Sequence, residues 1–229
     1  MHPFTRKAKA LFSQHGNSEN AHFMLKYMKF HFDFYGIKTK ERKVLQDQLL
    51  KQYTLPDNDI EAIVHDLYGQ DERELHHFAL DILIYKLNKV QLDWVVLFEY
   101  LLIRNSWWDT VDCISTRLVG KYFMTSDLLL LETHSKWINS KNIWLQRAAI
   151  LFQLKYKSKT DEKLLFNAVL HCRNSNEFFI QKAIGWALRE YSRTNRNAVI
   201  DFLNENHVST LSKREALKLV KKQDKIDCN

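Results

Sequence analysis

The sequence predicts an all-helical fold, and three observations carry that prediction. The 229 residues include only 5 Gly and 2 Pro, which leaves little material for strands and tight turns. Apolar residues recur with helical spacing along most of the chain. The segments with that spacing are about 12–18 residues long and are joined by connections of a few residues, which favours an array of helical hairpins.

Start and stop signals place about a dozen helices in order along the chain. Thr39 and Pro56 each begin a helix, whereas Gly69 and Gly120 each end one. The predicted ranges are 3–15, 19–31, 39–51, 56–68, 71–88, 91–104, 106–119, 125–138, 141–156, 161–173, 176–193, 195–206 and 211–222. A short polar tail follows at 223–229. Because no change in composition marks a linker, we expect one domain spanning the whole chain.

The charge of the chain points to a polyanionic partner. Its 34 Lys and Arg outnumber 27 Asp and Glu and give a formal net charge of +7. Because acidic residues are also numerous, the basic ones must be concentrated on one surface if they are to bind a polyanion. A merely basic protein without such a surface is the alternative.

Cysteine usage and the amino terminus favour a reducing compartment. The three Cys, at positions 113, 172 and 228, are widely spaced and form no C-x-x-C pair, so neither a disulfide framework nor a zinc site is indicated. The basic segment 1–12 lacks the apolar stretch of a signal peptide, and no apolar run reaches the length of a membrane span. We therefore expect an unprocessed cytoplasmic protein with no metal, no cofactor and no membrane association.

Two Trp and two Asp stand close together at the start of one predicted helix. Ser106 is the expected N-cap of this helix. At about 100° per residue, Trp107 falls on an apolar stripe and is expected in the core. Trp108 and Asp112 lie one turn apart on a neighbouring stripe with fewer apolar residues. An indole and a carboxylate outside the core are candidates for a functional pair.

The helices repeat with a spacing typical of two-helix solenoids. Asp112 and Arg147 are 35 residues apart, and Arg147 and Trp186 are 39 apart. Both values are within the range of HEAT-like repeats, in which every second helix lines one concave face. Arg147 is expected opposite the buried side of helix 141–156. There it serves either as a salt-bridge partner that holds Asp112 or as a bidentate phosphate clamp.

The predicted helix 176–193 carries a basic face. Lys182, Trp186, Arg189 and Arg193 share this face, away from the apolar stripe. An indole among three cations is unsuited to burial in a hydrophobic core and well suited to binding a phosphate backbone. A solvated charged face with one stray Trp is the alternative. Further cations that extend a basic track are Arg42, Lys43, Lys155 and Lys157.

Five runs of residues share the pattern of a known family. The runs are Ser106–Asp112, Trp144–Leu154, Phe178–Tyr191, Gly36–Thr39 with Arg42, and Leu211–Lys218. Over roughly residues 20–218 the chain resembles the AlkD-like family of DNA alkylation repair glycosylases. The resemblance implies a right-handed α-α superhelix (a solenoid) of HEAT-like two-helix repeats that holds duplex DNA in a concave cleft.

The resemblance also implies a reaction, the excision of positively charged alkylpurines such as 3-methyladenine and 7-methylguanine. By motif, the family's catalytic Asp corresponds to Asp112, its two cleft Trp to Trp108 and Trp186, and its cleft Arg to Arg147. The residues expected to contact DNA are Thr39, Arg42, Lys43, Lys155, Lys182, Arg189 and Arg193. The implied protein is a bacterial, nucleoid-associated monomer whose partner is double-stranded DNA.

Three hypotheses for function follow, and the first is favoured by the four catalytic candidates. It is a monofunctional alkylpurine glycosylase, since no Lys on the stripe of Trp108 and Asp112 is placed to form a Schiff base. The second is a weak or inactive paralogue that binds damaged or branched DNA in the same cleft. The third is a HEAT-type scaffold that grips an acidic peptide. His76 and His77 are expected at the surface or in a second layer, not as metal ligands.

Overall fold

The structure is a computed structural model that describes residues 1–87, 89, 93–126 and 128–220. Over these residues it contains helices and no strand, so the all-helical prediction is confirmed. The α-helices are α1 Pro3–Gln14, α2 Ser18–Tyr27, α3 Thr39–Gln52, α4 Ile60–Tyr68, α5 Arg73–Lys86, α6 Trp94–Ile103, α7 Trp108–Cys113, α8 Gly120–Phe123, α9 Leu130–Ile138, α10 Ile143–Leu151, α11 Glu162–Cys172, α12 Phe178–Tyr191, α13 Arg196–Glu205 and α14 Thr210–Ala216. The predicted polar tail at 223–229 and Cys228 lie outside the described residues.

The helices form two compact units, Met1–Leu92 and Asp93–Asn229. In the first, the rings of Phe4, Phe12 and Phe78 meet with centroids 5.5 and 5.8 Å apart. In the second, α10 packs against α6, α7, α9, α11 and α12. The single domain and the right-handed superhelix stay predictions about how these units combine. No helix in the described part of the chain is long and apolar enough to cross a membrane.

A buried carboxylate in the first unit fixes the turn that precedes α3. Glu74 of α5 accepts hydrogen bonds from the backbone N–H groups of Tyr35, Gly36 and Ile37 at 3.2, 2.8 and 3.0 Å. Gly36 has φ +86°, and a Cβ there would lie 2.0 Å from the carbonyl oxygen of Asn17, so only glycine fits this turn. These contacts set the position at which α3 begins.

The segment that follows α7 is continuous helix and contains a π-helical turn. Residues Ile114–Val119 form this turn, and α8 continues directly from it. Gly120 therefore does not end the helix as the sequence predicts. It provides close packing instead, because a Cβ at this position would lie 2.2 Å from the carbonyl oxygen of Phe152. The Tyr156 hydroxyl donates to the Gly120 carbonyl at 2.7 Å.

The predicted cap of this segment is wrong. The helix begins at Trp108 and has Trp107 in the N-cap position, without a side-chain cap. Ser106 instead donates its hydroxyl to the Leu102 carbonyl at 2.6 Å, so it completes the end of α6. A Ser that lies two residues before one helix and three residues after the end of another can serve either helix, and the sequence pattern does not distinguish the two cases.

Several helices are shorter than their apolar spacing predicts, among them α2, α9 and α10. Helix α2 ends at Tyr27 because Lys29 and Phe30 take positive φ values of 53° and 62°. The predicted helix 125–138 begins only at Leu130. Helix α10 starts after Asn142, whose side chain accepts from the backbone N–H of Trp144 at 2.9 Å, and it ends at Leu151 rather than at Tyr156.

His134 of α9 gives the C-terminal unit an acid-sensitive element. Its imidazole is buried against the Phe152 ring, with Asp161, His171 and the backbone of Ala149 as the groups that interact with it. Burial lowers the pKa of His134 below its ordinary value of 6.5. The unfolded chain therefore binds a proton that the folded chain excludes, so the free energy of unfolding should decrease as the pH falls below about 6.5.

Urea unfolding at a series of pH values measures this effect. The variant His134→Gln lacks the titrating group and should show a smaller decrease in stability between neutral and mildly acidic pH than the wild type. Equal decreases in the two proteins would show that other groups cause the acid sensitivity.

Candidate active site

A single pocket of the C-terminal unit gathers residues from α7, α10, α12 and α14. It has a volume of about 370 Å³. Its lining residues are Trp108, Asp112, Arg147, Phe178, Phe179, Lys182, Trp186, Arg189 and Glu215. All four residues predicted from the sequence to be catalytic, and two of the predicted DNA-binding cations, therefore line one cavity. No group of three or more His, Cys, Asp or Glu among the described residues is placed to hold a metal ion.

The centre of the pocket is a bidentate ion pair between α7 and α10. The Arg147 guanidinium donates from Nε to Asp112 Oδ1 at 2.7 Å and from Nη2 to Asp112 Oδ2 at 2.9 Å. Its Nη1 donates to the backbone carbonyl of Phe179 on α12. This ion pair is one of the two contacts predicted for Arg147; the other, a bidentate contact with a phosphate, stays a prediction. The guanidinium also ties α7, α10 and α12 together.

Burial of this pair corrects one prediction from helical spacing. Arg147 is 4% exposed, although the apolar pattern of α10 places it opposite the buried side. The reason is that α10 packs against neighbouring helices on several sides and thus has little solvent face left. Likewise Ser115 and Val119, on the stripe of Asp112, are fully or almost fully buried. Only the first turn of that stripe, with Trp108 and Asp112, lines the pocket.

Two opposing effects act on the pKa of Asp112. Burial of the carboxyl raises its pKa above the ordinary value of 3.8, and the hydrogen bonds and positive charge of Arg147 oppose that shift. The nearby Asp109 carboxylate raises it further. Arg147 thus keeps a buried carboxyl closer to ionisation than burial alone would allow. In addition, the Thr116 hydroxyl donates to the Asp112 backbone carbonyl at 2.8 Å.

Three aromatic rings form a cluster next to the ion pair. Trp107, Trp144 and Phe179 form a closed cluster with centroid distances of 5.8, 5.1 and 5.0 Å. Trp107 is only partly buried, but its ring is in this cluster, as expected for a packing residue. The backbone carbonyl of Phe179 accepts a hydrogen bond from Arg147. The packing of the Phe179 ring therefore also positions the carbonyl that orients the guanidinium.

Two indoles and one phenyl ring give the pocket an aromatic wall. Trp108 of α7 and Trp186 of α12 are each partly buried and partly open to the pocket. Phe178, at the first position of α12, is 57% exposed and lines the same pocket. An exposed phenyl beside two half-exposed indoles is an unusual surface in water and is typical of a ligand-binding wall.

The basic side chains of the pocket are organised by a carboxylate that the sequence analysis did not single out. Glu215 of α14 pairs with Lys182 at 3.0 Å and with Arg189 at 3.2 Å. Arg193 is exposed, pairs with Glu190 at 3.3 Å and lines a separate pocket of about 170 Å³. The face predicted for Lys182, Trp186, Arg189 and Arg193 is therefore divided, and only its first three members line the pocket of Asp112.

The other predicted DNA contacts are not part of this pocket. Thr39 and Lys43 are exposed on α3 of the N-terminal unit, and Lys155 is exposed after α10. Arg42 is different, since its guanidinium is buried and donates to Asp81 at 2.8 Å. The sequence suggested a surface cation at this position, but its spacing of three residues from Leu45 places it on the buried side of α3.

Of the two places expected for His76, the structure excludes the surface. It is fully buried, and its ring nitrogens contact an Arg73 guanidinium nitrogen at 3.0 Å and the Gln70 carbonyl at 2.7 Å. His76 thus connects α5 to the turn before it.

Three residues of the pocket were missed by reasoning from the sequence. Phe178 and Phe179 stand beside Trp186 on α12, and their position at the start of that helix was the available signal. Glu215 has a cation three residues later, Lys218, which is a typical helical ion-pair spacing. Its contact with α12 depends on Gly185, where a Cβ would lie 2.4 Å from the Glu215 Cβ, and such an interhelical contact has no local signature.

These features define a class of protein: an all-helical protein with a carboxylate–guanidinium pair in an aromatic pocket lined by cations. The family model for the DNA alkylation repair enzyme matches residues 8–220, and the chain belongs to this family. The resemblance noted from the sequence motifs is therefore confirmed.

Comparison of structures agrees with this assignment. The chain is similar to a solved structure described as a predicted DNA alkylation repair enzyme from Enterococcus faecalis. The two share 36% sequence identity and superpose with a TM-score of 0.83, over 89% of this chain and 95% of the other. No curated protein matches the sequence.

Proposed function

We propose that the protein hydrolyses the N-glycosidic bond of positively charged alkylpurines in duplex DNA, notably 3-methyladenine and 7-methylguanine. The observation that carries this proposal is the shared pocket of Asp112, Trp108 and Trp186. A carboxylate beside two indole faces matches the two positive charges of the reaction. One is the charge of the alkylated base and the other develops on the sugar.

The chemistry requires little more than charge stabilisation. A purine alkylated at N3 or N7 is already cationic, so it leaves without a strong general acid. The remaining barrier is the oxocarbenium character of the deoxyribose, and an ionised carboxylate is the group that stabilises it in sugar hydrolases. Asp112 supplies that carboxylate. A carboxylate has about four lone-pair sites, and Arg147 occupies two, so the others can face the sugar or orient the attacking water.

The aromatic wall accounts for selectivity toward charged bases. Cation–π contact with an indole contributes roughly 0.5–2 kcal/mol, depending on how far the pair is desolvated. Trp108 and Trp186 provide two such faces, and Phe178 extends the wall toward solvent. A neutral purine gains no cation–π term, so the pocket favours the damaged base.

The lysine among the described residues of the pocket lining is held in an ion pair, which disfavours a lyase reaction. Schiff-base formation requires a free amine, whereas the Lys182 Nζ is in an ion pair with Glu215 at 3.0 Å. We therefore propose a monofunctional enzyme that releases the base and leaves the DNA strand intact. Lys182 and Arg189 then bind phosphates of the DNA backbone.

A base-release assay tests the proposal directly. Duplex DNA treated with a methylating agent should release 3-methyladenine and 7-methylguanine on incubation with the protein, as measured by chromatography of the free bases. The strands should break only after alkaline treatment, which cleaves abasic sites. If enzyme in excess of the lesions releases neither base above the spontaneous rate, the glycosylase proposal is wrong.

One observation favours a second candidate, a paralogue that binds DNA in the same pocket without excision. Both Asp112 oxygens accept from Arg147, and a fully neutralised carboxylate would stabilise the sugar cation less. This candidate predicts salt-dependent binding to damaged or branched duplexes with no release of bases. The assay above separates the two.

A further inference from the structure

Outside the Asp112 pair, several cations gather around the carboxylate of Glu215. Its carboxylate accepts from three cations: Lys182 Nζ at 3.0 Å, Arg189 Nη1 at 3.2 Å and Lys218 Nζ at 2.7 Å. The Glu215 side chain is only 6% exposed, whereas the three cations are 26–50% exposed. The anion is thus covered and the cations face outward, so the surface of the cluster is positive although its centre is negative.

The packing of α14 on α12 fixes this carboxylate in place. Gly185 allows the two helices to approach so closely that any larger residue would meet the Glu215 Cβ at 2.4 Å and the Ser212 carbonyl at 2.9 Å. The Ser212 hydroxyl donates to the Gln181 carbonyl at 2.9 Å, and the Ser209 side chain caps α14. Glu215 is therefore held in a closely packed interface, whereas long Lys and Arg side chains have many rotamers when nothing holds them.

We propose that Glu215 is a positioning residue that gathers these three cations into a receptor for one phosphate of the DNA backbone. Lys218 Nζ lies 2.8 and 2.7 Å from the two Glu215 oxygens, whereas Lys182 and Arg189 each contact one of them. Because an ammonium has three N–H donors and a guanidinium five, each cation keeps at least one donor for a ligand. Because the carboxylate orders the side chains in advance, less conformational entropy is lost when the phosphate binds. The pKa of Glu215 is held at about 2, mainly by the hydrogen bond from Lys218, so the cluster keeps its charges at neutral pH.

The receptor lies beside the proposed reaction centre. Glu215, Lys182 and Arg189 line the same pocket as Asp112 and Trp186. A phosphate bound there would hold the strand next to the damaged nucleotide. This inference rests on the proposed function, because it assumes that the ligand of the pocket is duplex DNA.

The variant Glu215→Gln tests the inference because two models predict opposite signs. Removing a negative charge raises the net charge and, by general electrostatics alone, should tighten DNA binding. If Glu215 orders the cations, binding should instead weaken about tenfold, and the slope of log affinity against log salt should fall by about one to two, as phosphate contacts are lost. The ligand is a duplex oligonucleotide with one tetrahydrofuran abasic-site analogue, and binding is measured by fluorescence anisotropy at several salt concentrations.

Two further variants make the result decisive. Glu177→Gln removes the same charge from an exposed position just before α12, and should bind DNA at least as tightly as the wild type. Lys218→Met removes one exposed cation of the cluster and should lower the salt slope by about one. The latter variant decides the case if Glu215→Gln does not fold: an unchanged slope overturns the inference, and a lowered slope supports it.

The outcomes also separate this inference from the proposed reaction. If Glu215→Gln binds as tightly as the wild type, or more tightly, with an unchanged salt slope while the wild type releases methylated bases, only the role of Glu215 is wrong. If the wild type binds DNA and releases no base, the glycosylase proposal fails, but the variants still decide whether Glu215 positions the cations. A wild-type protein that does not bind the duplex overturns both.

Discussion

Replacing Asp112 with Asn should slow the release of 7-methylguanine by about one hundredfold to one thousandfold. The physical reason is the loss of one negative charge near the developing sugar cation. At 4 Å and an effective dielectric constant near 20, that charge contributes up to about 4 kcal/mol, which corresponds to about a thousandfold in rate. Arg147 neutralises part of this field, so the lower end of the range is also expected. Single-turnover excision from methylated duplex DNA is the measurement.

Two comparisons show whether the loss is specific. The affinity of Asp112→Asn for the duplex should stay close to that of the wild type, since Asp112 makes no phosphate contact in the proposed complex. Asp109→Asn removes a carboxylate from the same turn of α7 and should excise bases at close to the wild-type rate. If Asp112→Asn is as active as the wild type, Asp112 is not the stabilising carboxylate.

The sequence predicts well those features that depend on local periodicity. The apolar stripe of α12 is an example: Ile180, Ala183, Ile184 and Leu188 are all buried, as their spacing requires. The same logic places Trp186, Lys182 and Arg189 on another face, and the structure finds these three side chains along one pocket. The family motifs also assign Asp112 and Arg147 to one site. The two residues lie on different helices, so the apolar spacing within one helix cannot relate them.

What the sequence does not predict depends on contacts between helices. Arg147 is buried because α10 is surrounded by other helices, and Arg42 is buried because Asp81 of α5 reaches it. The ion-pair partners of Arg147 and Arg42, Asp112 and Asp81, are both distant from them in sequence. The π-helical turn after Asp112 and the close packing of Gly120 against Phe152 beside it are likewise features without a local sequence signal. A surface cation and a buried, paired cation have the same local pattern, so helical periodicity alone cannot separate them.

Replacing Arg147 with Met should have the largest effect on stability. The guanidinium makes two hydrogen bonds to Asp112 and one to the Phe179 carbonyl, and its removal leaves a buried carboxylate without a counter-charge. Breaking one partner of a buried ion pair costs about 3–5 kcal/mol. The free energy of unfolding, measured with urea at neutral pH, should fall by that amount. The double variant Asp112→Asn/Arg147→Met should lose less than the two single variants combined, because the unpaired charge is gone.

The pH dependence of the Arg147→Met variant follows from the pKa of Asp112. Burial raises this pKa and Arg147 opposes the shift, so without Arg147 the pKa should rise further. A carboxyl whose pKa is raised in the folded state contributes stability at low pH and loses it as the pH rises through that pKa, so the destabilisation should shrink when the pH is lowered. Excision needs the ionised carboxylate, and the acidic limb of its pH profile should therefore move to higher pH than in the wild type. If the limb does not move and the stability is unchanged, the ion pair does not control the ionisation of Asp112.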